Sequence, residues 1–523
     1  MSLDDAPTTE AATADRRPSR TIAALCGVLA GALGLGIAEL IAGLVPGAPS
    51  PVLSIGALLI TLQPPNAKQL VVDLFGTNDK AVLSVAVVIG ALVLSAGIGL
   101  LARRSLVAGR IAFGALGLFA LLAAVLDPLF DAVLGLVTAA VAIAVSAWSL
   151  GWLLRLATPR SEQAPRMMDF ERRRFLGAAV GVGAAAVTSG LIGRTLLNQR
   201  ASAAADAPPL PSPQATAAPL PAGAELAVDG ITPLVVPNRD FYRIDTSLLT
   251  PRLDAASWSL TVDGMVDHPF TMNYEELLAM PLVEQYVTIA CVSNEVGGDL
   301  VGNALWRGAR LRDVLDRAGV QEGATQVVGR SFDGWTAGFP TAWLDVAERE
   351  ALVAVGMNGD PLPPEHGYPA RLIVPGLFGY VSATKWLTNI ELTTLEAFNG
   401  YWVPLGWAKE APVLTQARID VPGSGASLSA GQQPVAGVAW APDRGVSKVE
   451  VQVDDGAWAA AELSAPISDA TWVQWLYRWD APPGDHTLRV RATDGTGEVQ
   501  TSTVTEPAPD GARGYHTISA RVG

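Results

Sequence analysis

Cysteine is scarce in this sequence, with two residues among 523. Cys26 lies in a long apolar run near the start, and Cys291 lies in a polar half of ordinary globular composition. Two cysteines so placed provide neither a disulfide framework nor the close spacing of a zinc site. Cys291 is therefore the one thiol of the polar half that is available for chemistry.

Histidine and basic charge are also limited. The four histidines all follow the apolar half: His268, His366, His486 and His516. A b-type haem held between membrane helices by paired histidines is thereby excluded for this chain, and no haem is expected in it. The 36 basic residues are outnumbered by 50 acidic ones. The resulting net charge of −14 argues against a nucleic-acid partner and is typical of a soluble surface.

Long apolar runs, by contrast, are abundant, and the mean hydropathy is +0.32. About 20 apolar residues cross the hydrocarbon core of a bilayer. Helices that span a membrane are predicted at 21–45, 80–102, 111–126, 131–156 and 175–197, of which 111–126 is slightly short. The run 52–62 is shorter still and is followed by Pro64-Pro65, which predicts an interfacial or re-entrant segment.

Clusters of arginine predict the orientation in the membrane. They precede the first span, separate the second span from the third, and separate the fourth from the fifth. If 51–79 does not cross, all clusters fall on one side, which the positive-inside rule makes cytoplasmic. Five crossings then place the residues after 198 outside the plasma membrane, whereas a full crossing at 51–79 would break this agreement.

An arginine motif stands directly before the fifth span, and it reads Arg172-Arg173-Arg174-Phe175-Leu176-Gly177. Together with the weakly hydrophobic Gly/Ala-rich run that follows, it resembles a twin-arginine export signal. The alternative is an ordinary stop signal of the positive-inside kind. The twin-arginine pathway carries folded proteins, which suits a domain that acquires a cofactor in the cytoplasm.

Composition divides the chain into four segments. Residues 1–198 form the predicted helical membrane domain, and the Ala/Pro-rich residues 199–227 form a predicted extended linker. In 228–405, short strand patterns alternate with short helical patterns, which predicts an α+β domain. In 406–523 the helical patterns vanish, which predicts an immunoglobulin-like β-sandwich. Its strands are expected at 434–440, 446–453, 471–479, 486–492 and 498–504.

Cys291 follows a β-rich run, Val283–Ala290, and opens into a glycine-containing turn. A buried and inert thiol is one interpretation, because buried cysteines are common. A metal ligand is the other, since a thiolate is a soft donor suited to a redox metal. The position of Cys291 between a strand and a glycine-rich turn, with basic loops downstream, favours the ligand.

A series of short motifs supports the same interpretation. They are Pro237-Asn238, Phe241-Tyr242, Thr288-Ile289-Ala290-Cys291, Gly302-Asn303-Ala304, Trp306, Gly308-Ala309-Arg310-Leu311, Asp313-Val314-Leu315, Gly356-Met357-Asn358-Gly359, Leu362-Pro363, His366-Gly367-Tyr368-Pro369, Arg371, Val374-Pro375-Gly376, Gly379 and Lys385-Trp386. In this order and spacing, residues 228–523 resemble the sulfite oxidase family of molybdenum enzymes.

The resemblance implies a molybdenum–molybdopterin cofactor with Cys291 as the protein ligand to the metal. It implies that the pterin and its phosphate are held by Tyr242, Arg243, Ile244, Asp245, Thr246, Ser331, His366, Arg371, Ala383, Thr384 and Lys385. Elementary chemistry agrees, because arginine offers a fork to a phosphate and lysine a point charge. Glycines 376 and 379 would let backbone amides approach an anion. The family also uses its terminal domain for homodimerisation.

The sequence departs from the family on the side of the substrate. Sulfite oxidases carry arginines soon after the ligand cysteine, where this chain has Glu295 and Val296. Another family arginine is replaced by Ile244, next to Arg243, and Trp335 stands in the place of a tyrosine near the metal. The resemblance implies Cys291, Trp335 and Arg243 as the catalytic residues, and these departures leave the substrate open between sulfite and another reduced sulfur compound.

The sequence thus predicts a membrane-anchored enzyme that transfers an oxygen atom to or from a small sulfur compound, with sulfite oxidation or a related reaction as the leading hypothesis. A separate electron-transfer partner is expected. One alternative is an S- or N-oxide reductase fed by a membrane electron donor. The other is a surface binding module without catalysis, which the β-sandwich alone would permit.

The predicted orientation can be tested with reporter fusions. An enzyme that is active only outside the cytoplasm should be active when fused after Gly230 and silent when fused near Gln163, because an odd number of spans separates the two sites. The opposite pattern would overturn both the orientation and the export-signal interpretation.

Overall fold

The computed structural model describes residues 17–62, 79–126, 130–158, 165–202, 207–346 and 350–523. The chain divides into two compact units, Met1–Arg200 and Ala201–Gly523, which are described here one at a time. The first unit corresponds to the predicted membrane domain and the second to the predicted soluble part.

The first unit is helical throughout its described elements. Its helices are α1 (Arg20–Leu44), α2 (Pro51–Leu62), α3 (Asp79–Arg104), α4 (Leu106–Val125), α5 (Ala132–Ala157) and α6 (Pro165–Ser202). Side chains that accept hydrogen bonds from the first turn cap three of them: Ser19 on α1, Ser105 on α4 and Asp131 on α5. In the described part of the unit, every helix except α2 is long and apolar enough to span a membrane.

These helices match the five predicted spans. The run 111–126 is less short than the sequence suggested, because α4 begins at Leu106 and includes Arg110. The short run 52–62 forms α2, with 12 residues. Most of the remaining part of 51–79 lies outside the described residues, so the predicted absence of a crossing there stays a prediction.

Glycines allow α1 and α3 to approach closely. A Cβ atom added to Gly27 would lie 2.1 Å from the Ser95 carbonyl oxygen, and one added to Gly99 would lie 2.1 Å from the Ala23 carbonyl oxygen. Contacts between backbones of this kind are typical of helix packing in lipid, where small residues let dispersion forces act over a large surface. Cys26 is fully buried in the same region.

The second unit begins with a domain of two sheets, of which one is mixed and the other antiparallel. One sheet has the order β2-β1-β10-β5-β6, and its strands are β1 (Ser259–Gly264), β2 (Phe270–Asn273), β5 (Gln326–Ser331), β6 (Thr336–Pro340) and β10 (Leu387–Thr393). The other has the order β3-β4-β7-β8, with β9 paired to β7. Its strands are β3 (Leu282–Ala290), β4 (Val301–Arg310), β7 (Leu352–Met357), β8 (Asp360–Pro361) and β9 (Arg371–Ile373).

Short helices connect these strands: α7 (Tyr274–Leu278), α8 (Leu311–Ala318) and α9 (Gly379–Ser382). Asn273 begins α7 with a capping box in which Glu276 is the reciprocal partner. Strand β4 was not predicted as a strand, because its first four residues are buried in succession and lack the alternation of a half-buried strand.

The C-terminal residues form two further sheets around one core. The first has the order β11-β13-β17-β16, with β11 (Gln416–Val421), β13 (Gly431–Trp440), β16 (Glu462–Leu463) and β17 (Val473–Ala481). The second has the order β12-β19-β18-β14-β15, with β12 (Ala426–Leu428), β14 (Val446–Val453), β15 (Ala459–Ala460), β18 (Gly484–Asp494) and β19 (His516–Val522). Residues of both sheets share one hydrophobic cluster, as in a sandwich; its immunoglobulin type stays a prediction.

The predicted strand at 498–504 is wrong. Within it, Val499 forms an isolated bridge with Thr493 of β18 and no ladder follows, so the last strand is β19. The reason is that β19 occupies this edge of β18 from Gly484 to Val490, which leaves only the last residues of β18 for another partner. A run rich in threonine and valine has the propensity of a strand, but the free edge beside it is too short for a ladder.

The Ala/Pro-rich segment after residue 206 is extended but lies against the second unit. Gln214 donates its backbone N–H to the Leu282 carbonyl (2.7 Å), and Glu284 donates to the Ala215 carbonyl (2.9 Å). Near its other end, Leu226 donates its backbone N–H to the Gln474 side chain (2.7 Å). From residue 207 onward the segment is therefore part of the folded surface and not a free tether.

A pair of glycine substitutions on α3 tests the close packing of the membrane unit. Replacing Gly with Ala favours an isolated helix by about 1 kcal/mol, so Gly97→Ala, which faces open space, should be neutral or stabilising. Gly99→Ala should instead destabilise the bundle, since the added methyl overlaps the Ala23 carbonyl. The measurement is the temperature at which detergent-solubilised protein loses its monodisperse gel-filtration peak. Equal or higher stability of Gly99→Ala would contradict the packing.

Candidate cofactor site

Strand β3 delivers Cys291 to its end, as the sequence predicted. The β3–β4 pairing runs to Ala290 opposite Val301, and the Cys291 N–H then donates to the Leu300 carbonyl (2.9 Å). Asn294 closes the turn: its N–H donates to the Cys291 carbonyl (3.1 Å) and its side-chain oxygen accepts from the Leu300 N–H (2.8 Å). The thiol is 8% exposed, so it sits in a fixed position at the edge of the core.

The segment that begins at Pro237 is held beside this strand by two asparagines of the family motifs. Asn358 donates to the Asn238 side-chain oxygen (2.8 Å), and Asn238 donates to the Met357 carbonyl (3.2 Å). Phe241 then packs directly on Gly302, where a Cβ would lie 2.7 Å from its ring. These contacts explain why the motifs contain a glycine and two amides, and they place Tyr242 next to the thiol.

Tyr242 marks the meeting point of the thiol and a buried arginine. Burial raises the pKa of the Tyr242 phenol, the charge of Cys291 raises it further, and the charge of Arg371 opposes the shift. Groups that affect one another in this way lie within a few ångströms in a low dielectric. Tyr242, Cys291 and Arg371, predicted from positions far apart in the chain, are therefore brought together.

His366 presents one free acceptor to this region. Burial lowers its pKa to about 3, helped mainly by the charge of Lys385, so the imidazole is neutral. Its Nε2 lies 2.8 Å from the Asn238 carbonyl oxygen; a carbonyl only accepts, so Nε2 carries the hydrogen and donates it. Nδ1 is then a bare acceptor, and it is buried without a partner in the described structure.

Arg371 is the most deeply buried cation of the site, with 3% of its surface exposed. Its Nη1 donates to the His366 carbonyl (3.0 Å), and its guanidinium lies 5.1 Å from the centre of the Trp306 ring. Burial lowers its pKa to about 10, so it stays charged at neutral pH. The Nε–H group has no partner among the described residues, which leaves a buried donor without an acceptor.

Lys385 and Arg243 meet across one carboxylate. The Lys385 Nζ lies 3.1 Å from Asp245 Oδ2 and donates to the Glu365 carbonyl (2.9 Å), while the Arg243 Nε lies 3.0 Å from the same Asp245 oxygen. Burial lowers the pKa of Lys385 to about 8, with Asp245 opposing this shift and Arg371 and Arg243 adding to it. Arg243, Arg371 and Lys385 form what we call the cationic cluster.

The hairpin loop between β5 and β6 closes another side of the site. It contains Ser331 and Trp335, joined by a hydrogen bond from the Ser331 N–H to the Trp335 carbonyl (2.8 Å). Between them lies Asp333, which the sequence prediction missed. Burial raises the pKa of Asp333, and the nearby charge of Asp245 also raises it, so the loop adjoins the cationic cluster. That Trp335 lines the substrate pocket stays a prediction.

Helix α9 brings the last predicted residues to the end of β3. A Cβ on Gly379 would lie 3.7 Å from the Ala290 carbonyl oxygen, and the Ala383 carbonyl lies 3.5 Å from Arg371 Nη2. Thr384 is fully buried, and its hydroxyl has no partner in the described structure. Gly376 does not join them, because Asp443 and Trp343 lie within 3 Å of its Cβ position. Because the Asp443 carboxylate lies against Gly376, an anion is not expected to bind at the backbone of this glycine.

The predicted residues thus separate into two groups. The cofactor-side residues converge, although Thr246 is half-buried and Ile244 is 37% exposed. Two arginines that lie close to the motifs, Arg307 and Arg310, do not join them. Arg307 is paired with Glu284 (2.6 Å) and Arg310 with Glu350 (2.9 Å).

The converging residues suit a pterin that carries a phosphate. Buried polar atoms without a partner are rare in proteins, yet here they include an acceptor, His366 Nδ1, a donor, Arg371 Nε, and the Thr384 hydroxyl. The cationic cluster outnumbers its neighbouring carboxylates, Asp245 and Asp333, so an anion would stabilise it. The thiol supplies a soft ligand at one end.

Comparison with known proteins gives the same result. Residues 247–402 match the family model of the oxidoreductase molybdopterin binding domain. The uncharacterized oxidoreductase YuiH of Bacillus subtilis (strain 168) is 38% identical over 154 residues, which cover 29% of this chain and 74% of YuiH. Human mitochondrial sulfite oxidase is 30% identical over 319 residues, covering 52% of this chain and 58% of that protein.

Two further matches are more distant or more partial. The NADH nitrate reductase 1 of rice (Oryza sativa subsp. japonica) is 33% identical over 177 residues, covering 29% of this chain and 19% of the reductase. The crystal structure of the sulfane dehydrogenase SoxCD from Paracoccus pantotrophus aligns with a TM-score of 0.48 and 22% identity, covering 55% of this chain and 81% of that one.

The fold and the site define a molybdopterin-binding oxidoreductase. More specifically, the chain belongs to the sulfite oxidase family of molybdenum-dependent enzymes, and its cofactor is molybdenum–molybdopterin. The family assignment and the cofactor expected from the sequence are confirmed.

Two cysteine substitutions test the role of the thiol. Cys291→Ser should leave a folded protein, because serine fills a similar volume, but should lower turnover by more than about a hundredfold, since loss even of residues that support metal ligands lowers activity by 10–100-fold. The matched control is Cys26→Ser, in α1. Near-normal activity of Cys291→Ser, measured with circular dichroism as a check on folding, would show that Cys291 is not the ligand.

Proposed function

We propose that this protein transfers an oxygen atom to or from a small sulfur compound at a site on the outer side of the plasma membrane. The observation that carries the proposal is the convergence of Cys291 with buried polar atoms that lack partners, His366 Nδ1, Arg371 Nε and the Thr384 hydroxyl. Such an arrangement would be unfavourable without an occupant and suits the family's cofactor.

Each residue has a defined task in this proposal. The molybdenum–molybdopterin cofactor supplies two-electron oxygen-atom transfer when bound, and the protein supplies orientation and electrostatics. Cys291 binds the metal as a thiolate. The cationic cluster binds the phosphate of the pterin, with Asp245 holding Arg243 and Lys385 in place. His366 and Arg371 offer an acceptor and a donor to the pterin ring.

The substrate side supports a compound other than sulfite. Sulfite is largely a dianion near neutral pH, and its binding needs fixed positive charge. Arg307 and Arg310 are held in ion pairs, and Arg243 is paired with Asp245. Glu295, in the loop after the thiol, is exposed and adds negative charge there. A larger or neutral sulfur compound fits this charge distribution better.

The low positive charge also favours a second candidate, the reduction of S- or N-oxides. A neutral oxide needs no arginine clamp, and the same cofactor chemistry can run in either direction. An assay in both directions with an artificial electron carrier separates the two candidates. Turnover of a sulfoxide only as an electron acceptor would support reduction, whereas oxidation of a sulfur compound with release of electrons would support the first proposal.

The cellular setting follows from the sequence and is also part of the proposal. The helices of the first unit anchor the enzyme in the plasma membrane, and five crossings place the catalytic domain outside. A separate electron carrier exchanges electrons with the site one at a time. The C-terminal domain joins two copies of the chain in a homodimer, as in the family.

Kinetics on molybdenum-replete protein test the substrate. The KM for sulfite should lie well above the tight end of the usual enzyme range, about 1 μM, and sulfite should be used less efficiently than a neutral sulfur compound. A sulfite KM near that tight end would make this an ordinary sulfite-oxidising enzyme.

Restoring a positive charge should improve sulfite binding. Ile244→Arg reintroduces the arginine that the family has, at a position exposed enough to accept it. A charged hydrogen bond contributes about 1.5–3 kcal/mol, so the KM for sulfite should fall roughly tenfold or more. The matched control is Val320→Arg, which adds the same charge at an exposed position after α8. An equal fall in the KM for sulfite in both variants would show that the added positive charge acts at long range and not through contact with the substrate.

A further inference from the structure

The loop that follows Cys291 contains Glu295 and Val296, two of the positions at which this chain departs from its family. We call residues 291–300 the cysteine loop. Its two ends are tied by the Cys291–Leu300 hydrogen bond and by the Asn294 side chain. Its middle contains Gly297 and Gly298, and the Gly298 N–H donates to the Glu295 carbonyl (2.9 Å). Two glycines in succession give such a segment many alternative conformations unless neighbours restrict it.

The C-terminal domain holds one side of the cysteine loop through Arg418, on β11. Arg418 Nη1 donates to the Gly298 carbonyl (2.7 Å), Nη2 to the Thr232 hydroxyl (2.7 Å), and Nε to Asp420 Oδ1 (2.6 Å). The arginine is 8% exposed. A planar fork with three different acceptors fixes the Gly298 carbonyl relative to β11.

His516, at the start of β19, covers the other glycine. A Cβ added to Gly297 would lie 2.2 Å from His516 Cδ2 and 2.3 Å from its Nε2, so the imidazole occupies the space that any other side chain would need. Gly297 also has a positive φ of 83°. The opposite edge of the ring is fixed, because Nδ1 accepts a hydrogen bond from the Ile419 N–H (3.0 Å).

We propose that His516 is a positioning residue for the cysteine loop, and through it for the Cys291 thiolate and the adjoining wall of the substrate pocket. The imidazole acts as a plug between Gly297 and β11. The claim about the substrate pocket rests on the proposed function, whereas the claim about the position of the cysteine loop does not. The C-terminal domain is then a structural part of the active site and not only a surface for dimerisation.

Two substitutions of His516 test the roles of the two edges of the imidazole ring separately. His516→Asn keeps an acceptor near the position of Nδ1 for the Ile419 N–H but removes the atoms over Gly297. His516→Gln reaches the position of Nε2 and covers Gly297 but lacks the acceptor near the backbone. If the ring atoms over Gly297 hold the loop, His516→Asn should make the cysteine loop more mobile and His516→Gln should leave it in place. His486→Asn is the matched control, because this histidine lies on β18 of the same domain and contacts Asp454 and the Pro482 carbonyl instead.

The first readout uses cofactor-free, full-length protein with the Cys26→Ser background. The rate at which iodoacetamide alkylates Cys291, followed by mass spectrometry, reports opening of the loop. We expect His516→Asn to be alkylated about tenfold faster than the parent, equivalent to about 1.4 kcal/mol, with His516→Gln and His486→Asn near the parent rate. A parent-like rate for His516→Asn, or equal acceleration in His486→Asn, would overturn the proposal.

The second readout uses the loaded enzyme. His516→Asn should raise KM for the sulfur substrate more than it lowers kcat, at unchanged molybdenum content, because the pocket wall moves while the cofactor stays bound. Lost molybdenum or an unchanged KM would contradict a role at the substrate wall. Failure of the proposed function would give a different result. Cys291→Ser would then leave turnover unchanged, while the alkylation rates of the His516 variants would stay as expected.

A further variant covers the case in which His516→Asn does not fold. Gly297→Ala places a methyl group against the ring and should displace the loop, with faster alkylation of Cys291. Gly406→Ala is its control, because Gly406 also has a positive φ (100°) but has open space around its Cβ position. Equal alkylation rates for the two alanine variants would count against the plug.

Discussion

The burial of Arg371 is the constraint on which the site depends. A guanidinium that is 3% exposed has lost most of its hydration, and a buried charge is tolerated only when other groups replace the water. Here the replacements are the carbonyls of His366 and Ala383 and the face of Trp306. They leave Nε without a partner. An anion bound between Arg371 and Lys385 would supply the missing stabilisation, which supports the proposal that these cations bind the phosphate of the pterin.

The cofactor-side residues were predicted through the resemblance of their motifs to the sulfite oxidase family. The strand β3 that ends at Cys291, by contrast, could be predicted from its own apolar run. Prediction stopped where neither a motif nor a run marked the residue. Asp333 had no signal beyond an Asp-Gly turn, and its role appears only when the β5–β6 loop meets Asp245. Local patterns identify residues with reactive side chains, but contacts between segments far apart in the chain determine which of them lie together in the site.

The substrate side illustrates the limit more sharply. Arg307 and Arg310 are near the motifs and could have served as anion ligands. The register of β3 against β4 places Glu284 opposite Arg307, and a cross-strand ion pair removes that arginine from the pocket. Arg310 is likewise paired with Glu350. The strand predicted at 498–504 is absent for a related reason, because β19 pairs with most of the β18 edge beside it, and no local sequence reveals that pairing.

The two sides of the site therefore differ in how they are built. The cofactor side is a set of buried charges and orphaned polar atoms within one domain, so most changes there would leave an uncompensated charge. The proposed substrate side is a glycine-rich loop tied at both ends and covered by Arg418 and His516 of the C-terminal domain. Side chains such as Glu295 and Val296 can change on that loop without moving Cys291, because the ties involve the backbone and Asn294. Such a division would let this chain keep the family's cofactor while its cysteine loop differs.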